Sequence, residues 1–209
     1  MSAGEIILIT GGGRSGKSTH AQHLAETLPG PRAYIATATA FDSELQERIA
    51  KHRESRHEEV WERTIEEPLA LAHAIRDASG CRTVLVDCLT MWVGNLMWAA
   101  EQAVGGRAAR AGAAPTSTGG SLGAPPTLTP PALTEAEVAA TCEEVVAACR
   151  AHEGTVVLVT NEVGLGIIPD NDASRLYRDL LGRCNQVIAS AADSVVLMVS
   201  GLPLTLKAP

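Results

Sequence analysis

The run Gly11-Gly12-Gly13-Arg14-Ser15-Gly16-Lys17-Ser18 carries the densest chemistry in the chain and fits the pattern GxxxxGK[ST]. Glycines let a backbone wrap closely around an anion, while consecutive N–H groups and a helix start point at phosphate oxygens. A lysine in this frame supplies a mobile cation to the β and γ positions, and the hydroxyl after it ligates Mg2+. Lys17 is therefore a candidate catalytic cation and Ser18 a candidate metal ligand. A tight strand-to-helix turn is the plain alternative, but it leaves the lysine unexplained. Nucleoside triphosphate chemistry is the expectation.

Two acids stand where such chemistry would use them. Asp87 closes the apolar run TVLVD, a position at which nucleotide-binding α/β folds place a metal-coordinating carboxylate. It reads alternatively as a cap for the helix that starts near Thr90. Glu162 follows TVVLVTN at the end of another apolar run and is a further candidate, acting through a water or a second substrate. No Asn-Lys-x-Asp base-reading motif occurs, so the spacing does not select a purine, and a regulatory GTP switch is disfavoured.

These residues need a scaffold that brings strand ends together. Glu5–Thr10, Ala33–Thr37, Thr83–Val86, Thr155–Thr160 and Ser194–Ser200 are short apolar runs of the kind that form strands covered on both faces. Helical spacing occupies Lys17–Leu28, Ser43–Ser55, Pro68–Ala78, Thr90–Ala103, Thr134–His152 and Ala173–Ala191. The alternation predicts an α/β fold: a largely parallel sheet with helices on both faces, in a single P-loop domain spanning residues 1–209. LPLTLK after Gly201 is expected as an edge strand. Residues 105–131, rich in Gly, Ala, Pro, Ser and Thr, bury too little to order themselves and read as a disordered insertion, with a substrate lid as the alternative.

Composition narrows the partners. The 209 residues hold 17 Lys and Arg against 24 Asp and Glu, a net charge of −7, and only 3% aromatics. Broad attraction to nucleic acid or an anionic membrane is therefore absent, and base-stacking platforms are improbable. No apolar run approaches the roughly 20 residues of a membrane span, and the N-terminus leads straight into the glycine motif, so a cytoplasmic location is expected. None of the five cysteines lies in a CxxC pair, and Cys142 and Cys149, two turns apart on one helical face, read as packing residues.

The remaining chemical signal is a histidine among cations. In the segment Phe41 to Arg56, Ser43 and Gln46 form a capping box and Glu47 and Lys51 an i,i+4 pair, while Leu45, Ile49 and His52 share a stripe. On local pattern alone His52 continues a polar surface. The wider set of motifs changes that weight. TGGGRSGKS, YIATATAFDSELQERIAKHRESR, TIEEPLAL, VLVDCLTMWVGNLM and the stretch from VVLVTNEVGLGIIPDN to SGLPLTLK together resemble the bifunctional adenosylcobinamide kinase and adenosylcobinamide-phosphate guanylyltransferase family of cobalamin biosynthesis. The match covers nearly everything outside 105–131, and its most specific pieces are RIxxHRxxR and TNEVGLGIIPDN.

The resemblance implies a RecA-like P-loop enzyme that phosphorylates adenosylcobinamide with GTP or ATP. It then transfers GMP from GTP to adenosylcobinamide phosphate through a guanylylated histidine. It maps that histidine to His52 and the phosphate loop to Gly12, Gly13, Arg14, Ser15, Gly16, Lys17, Ser18 and Thr19. Further nucleotide contacts fall on Thr37, Ala38, Thr39, Arg53, Glu54, Ser55, Arg56, Glu66 and Asp87, with Mg2+ on Ser18 and Asp87, and a homotrimer or other homo-oligomer is implied. Lys51, Arg53 and Arg56 would oppose protonation of His52 and stabilise charge on the α-phosphate and departing pyrophosphate. The chain departs from the family where an Arg-Pro pair is replaced by Arg56-His57, which makes His57 a secondary nucleophile candidate. Spacing from Arg56 to Trp61 is also longer. The rival readings are a P-loop kinase for another small alcohol and a nucleotide-binding assembly protein without transfer activity.

Overall fold

The computed structural model describes residues 4–38, 60–110 and 133–208. Within them the order is β1 (Glu5–Gly11), α1 (Lys17–Thr27), β2 (Arg32–Ala36), β3 (Arg63–Glu66), α2 (Leu71–Asp77), β4 (Thr83–Asp87), α3 (Leu89–Arg110), α4 (Glu135–Ala151), β5 (Thr155–Val159), α5 (Asp172–Ala191), β6 (Ser194–Val199) and β7 (Leu202–Lys207). A 3-10 turn at Val163–Leu165 follows β5. The strands form one sheet in the order β3-β2-β4-β5-β1-β6-β7, parallel throughout except for the antiparallel β6–β7 hairpin. This is the expected α/β architecture, with LPLTLK as the edge strand.

Strand alternation sorts the apolar residues onto two faces. Ile6 and Leu8 of β1 join Val84, Val86, Val156 and Leu158 in a cluster closed by α2, α3, α4 and α5. Ile7 and Ile9 face the other way, with Leu85, Val157 and Val159, under Ala21 and Ala25 of α1. Two alanines on that helix let its axis approach the sheet closely, which sets the loop before it tight against the strand ends. With few aromatics, the larger core depends on aliphatic packing around Trp92, which is fully buried and donates its indole N–H to Leu69 O at 2.8 Å. Cys142 and Cys149 are buried packing residues, as expected.

Several boundaries differ from the sequence expectation. β3 was not foreseen: of Arg63-Thr64-Ile65-Glu66 only Ile65 is half-buried, so no alternation marks the strand, and pairing with β2 alone defines it. α2 starts at Leu71 rather than Pro68 because Glu67 Oε1 accepts from Leu69 N and Ala70 N, holding those residues in a turn. α3 runs past Ala103 to Arg110, so residues 105–110 of the expected insertion are helical. The rest of that insertion, 111–131, lies outside the described residues, as does the whole of the helix expected at Ser43–Ser55, His52 included. No helix among the described residues is long and apolar enough to cross a membrane.

The edge of the sheet opposite the glycine loop is clamped by one ion pair. Arg150 Nη1 meets Asp193 Oδ2 at 2.7 Å and Nη2 meets Oδ1 at 3.0 Å, while Arg150 also donates to Gly4 O and Ala191 O and Asp193 Oδ2 accepts from Ile6 N. The Arg150 hydrogen bond, followed by that from Ile6 N, holds the Asp193 carboxyl below its usual range. The unfolded chain therefore takes up this proton first as acid is added. The contribution is fully present above about pH 4 and is lost as pH falls through the lowered folded value. Asp193→Asn should cost about 1–2 kcal/mol at pH 7, allowing for partial exposure of the pair. Denaturant melts of variant and wild type should converge as pH falls through that lowered value; a gap independent of pH would contradict the account.

Candidate active site

All the chemically suggestive residues in the described chain gather at the carboxyl edge of the parallel strands, where open α/β sheets bind ligands. β1 ends at Gly11, whose φ of +153° and surroundings both exclude a side chain: an added Cβ would lie 2.6 Å from Met198 O. The loop then turns through Arg14 at φ 58° and Gly16 at φ 89°. Gly12, Gly13 and Arg14 form its exposed tip, while Ser15 is buried. No side chain caps the start of α1. Its first N–H groups are thus available to an anion, with the positive end of the helix dipole behind them. Lys17 is only 7% exposed and donates from Nζ to Gly12 O at 3.0 Å, folded back over the loop it would share with a triphosphate. Ser18 follows on the first turn, partly exposed.

The metal-acid candidate sits on β4. Asp87 is partly exposed and its Oδ2 accepts from Tyr34 Oη at 3.0 Å, a bond between neighbouring strands that leaves Oδ1 for another partner. Tyr34 is itself fixed by edge-on packing against Trp61, with ring centroids 5.6 Å apart. Thr37 brackets the next peptide: its Oγ1 donates to Cys88 O at 2.7 Å and accepts from Cys88 N at 2.9 Å. Asn95 Nδ2 in turn holds Thr37 O at 2.8 Å. Desolvation pushes the Cys88 thiol up to about 11, with the Asp87 charge adding to the effect, so this sulfur stays protonated at neutral pH and is no nucleophile.

A hydroxyl and one carboxylate oxygen form a hard, oxygen-only donor set. No cluster of three His, Cys, Asp or Glu that could hold a metal unaided occurs among the described residues. That combination suits Mg2+, which takes one or two protein ligands and completes its shell with phosphates and water. Ser18 and Asp87 are the residues that would hold it, and bound there it would neutralise phosphate charge.

Glu162 lies just beyond β5, the strand between β1 and β4, and its N–H donates to Gly11 O at 3.1 Å. Its Oε1 accepts from Thr10 Oγ1 at 2.6 Å and from Asn185 Nδ2 at 3.2 Å. Asn185 also accepts from Thr160 Oγ1 at 2.7 Å and donates to Asn161 O at 2.9 Å. The sequence reading missed Thr10, Asn185 and Tyr34. Asn185 did leave a trace, as a polar residue on the apolar stripe of Leu181, Cys184 and Ile188.

With this geometry the chain also carries a match to a family model described as cobinamide kinase / cobinamide phosphate guanyltransferase, over residues 7–206. The chain belongs to that family. It is 38% identical over 202 residues to the bifunctional adenosylcobalamin biosynthesis protein CobP of Pseudomonas aeruginosa, covering 96% of both chains. It is likewise 38% identical over 206 residues to the bifunctional adenosylcobalamin biosynthesis protein CobU of Escherichia coli K12, covering 97% of this chain and 99% of that one. Among solved structures, the flagellar accessory protein FlaH of Methanocaldococcus jannaschii aligns with a TM-score of 0.48 and 13% identity, over all of this chain and 80% of that one. The protein is thus an enzyme, a cobinamide kinase / cobinamide phosphate guanyltransferase by family.

Set against this family member's structure, the expected site residues divide. Gly12, Gly13, Arg14, Ser15, Gly16, Lys17 and Ser18 form one loop and helix start with Thr19 beside them, and Asp87 stands at the same sheet edge. Thr37 is fully buried and its hydroxyl is committed to Cys88, so its described role is to position the Asp87–Cys88 segment. Ala38 follows, partly exposed. Glu66 ends β3 at the far edge of the sheet, exposed, two strands away from Asp87. Thr39, His52, Arg53, Glu54, Ser55, Arg56 and His57 lie outside the described residues.

Proposed function

We propose that this enzyme phosphorylates adenosylcobinamide with GTP or ATP and then transfers GMP from GTP to adenosylcobinamide phosphate through a guanylyl group on His52, yielding adenosylcobinamide-GDP. The observation that carries the reading is the loop from Gly11 to Ser18, with Lys17 folded over it, in a chain matched by the kinase and guanyltransferase family from residue 7 to 206. A kinase for another alcohol would share the loop but not the match across the rest of the chain.

The residues divide the labour. Backbone N–H groups of the loop and the α1 start bind and orient the triphosphate tail, and Lys17 stabilises the charge that grows between β- and γ-phosphate as transfer proceeds. Tyr34 and Thr37 hold Asp87 and its neighbouring peptide in register with the loop. Kinase chemistry needs no covalent enzyme intermediate, only in-line alignment. In the second half-reaction, a neutral His52 imidazole attacks the α-phosphorus of GTP, pyrophosphate leaves, and the substrate phosphate then takes the GMP from the histidine. The cations flanking His52 favour both the neutral ring and the departing pyrophosphate. The same reading places the enzyme in the cytoplasm as a symmetric homo-oligomer. In support of assembly, Leu202, Leu204 and Leu206 of the edge strand β7 are 71%, 55% and 59% exposed, apolar surface that packing between copies would cover.

The direct test is the intact mass of the protein before and after incubation with GTP and Mg2+. One GMP per chain is expected, labile in acid and stable in alkali, with peptide mapping that places it on His52. No adduct, or an adduct mapped to His57 or elsewhere, would remove His52 from the reaction.

A further inference from the structure

We propose that Glu162 is the catalytic carboxylate that receives the proton of the attacking hydroxyl in the kinase half-reaction, with Thr10 and Asn185 as its positioning residues. The inference rests on the kinase reading above and goes beyond it, since nothing in that reading says where the proton goes.

Placement is the first argument. β5 separates the strand that ends in the phosphate loop from the strand that ends in Asp87, so a residue just past β5 stands between the phosphates and the metal acid. Glu162 is there, tied to the loop's first residue by its N–H bond to Gly11 O. Orientation is the second. Two donors on different elements, Thr10 on β1 and Asn185 on α5, converge on the same oxygen, Oε1, and fix the plane of the carboxylate. Oε2 is left out of both bonds, on a residue that is only partly buried. Among the described residues no Lys, Arg or His forms an ion pair with Glu162 that would occupy the carboxylate.

The other acids of this edge are less suited. Asp87 has one oxygen bound by Tyr34 and the other assigned to the cation, while Glu66 is two strands further out. In the proposed step the O–H bond of the alcohol breaks and its proton passes to Glu162 Oε2. The oxygen's electron pair forms the new bond to the γ-phosphorus. The bond from that phosphorus to the β–γ bridging oxygen breaks, and its pair leaves on the nucleoside diphosphate, beside Lys17.

The test uses the full chain, adenosylcobinamide and MgGTP. Glu162→Gln keeps an acceptor for Thr10 and Asn185 but removes the base. It should lower the kinase kcat by about 10²- to 10³-fold with the KM for GTP changed by less than about threefold. Wild-type kcat should fall at acid pH along a one-proton limb that E162Q lacks. Thr10→Val should lose about tenfold in kcat and displace that limb. A kcat for E162Q within about fivefold of wild type, or a raised KM at unchanged kcat, overturns the proposal. If E162Q fails to fold, Glu162→Asp carries the test: a kcat at least about tenfold lower with the acid limb kept supports it, and an unchanged kcat overturns it. Wild type unable to phosphorylate adenosylcobinamide sinks the wider function. An active wild type beside an equally active E162Q sinks only the role of Glu162.

Discussion

Lys17→Ala should remove both half-reactions together, each losing about 10²- to 10³-fold in kcat/KM for the nucleotide. In the proposed mechanism both begin with a triphosphate in the same loop, over which Lys17 folds, 7% exposed and bonded to Gly12 O. In a site so sheltered from water its charge acts through a low effective dielectric and is worth more than a surface lysine would be. Ala21 and Ala25 still seat the α1 face on the sheet when the Lys17 side chain is truncated, so the thermal midpoint should move by only a few degrees. Initial rates of the two steps, measured separately with GTP and with supplied adenosylcobinamide phosphate, decide it. Retention of either activity within about tenfold of wild type would mean that this half-reaction holds its triphosphate elsewhere.

His52→Ala should divide the two activities instead. Guanylyl transfer should fall by about 10³-fold or more, because the proposed mechanism then lacks its nucleophile and its two displacements collapse to a direct attack of one polyanion on another. Phosphorylation of adenosylcobinamide should stay within about threefold, since the in-line transfer proposed for it uses the loop, Lys17 and the strand-end acids. Product chromatography should then show adenosylcobinamide phosphate accumulating where wild type goes on to the guanylylated product. Equal loss of both steps would mark the histidine as structural.

The fold was legible where burial left a pattern in the residues. β1, β4 and β5 are covered on both faces and appear as unbroken apolar runs, and the helical spacing from Thr134 finds the start of α4 within a residue. β3 was illegible because an exposed edge strand needs no such run. The site divides in the same way. Its phosphate loop is local, so one stretch of eight residues reveals it. The support for Asp87 is not local: Tyr34 is 53 residues away in the chain and Thr37 is 51 from Cys88. Glu162 lies 152 residues from Thr10, and sequence suggested the acid without its holders. Such contacts depend on strand order, which no single segment encodes.

The β6–β7 turn has a consequence for how this chain can vary. Ser200 and Gly201 adopt φ of 52° and 83°, Gly201 N donates to Ser15 O at 3.0 Å, and a Cβ on Gly16 would come within 3.3 Å of Gly201 Cα. The hairpin's tip therefore acts as a buttress for the anion cradle, although its two strands stand among the last residues of the chain. Loosening this corner, by lengthening the turn or trimming away β7, would unmoor the glycine loop from behind without changing any residue between Gly11 and Ser18.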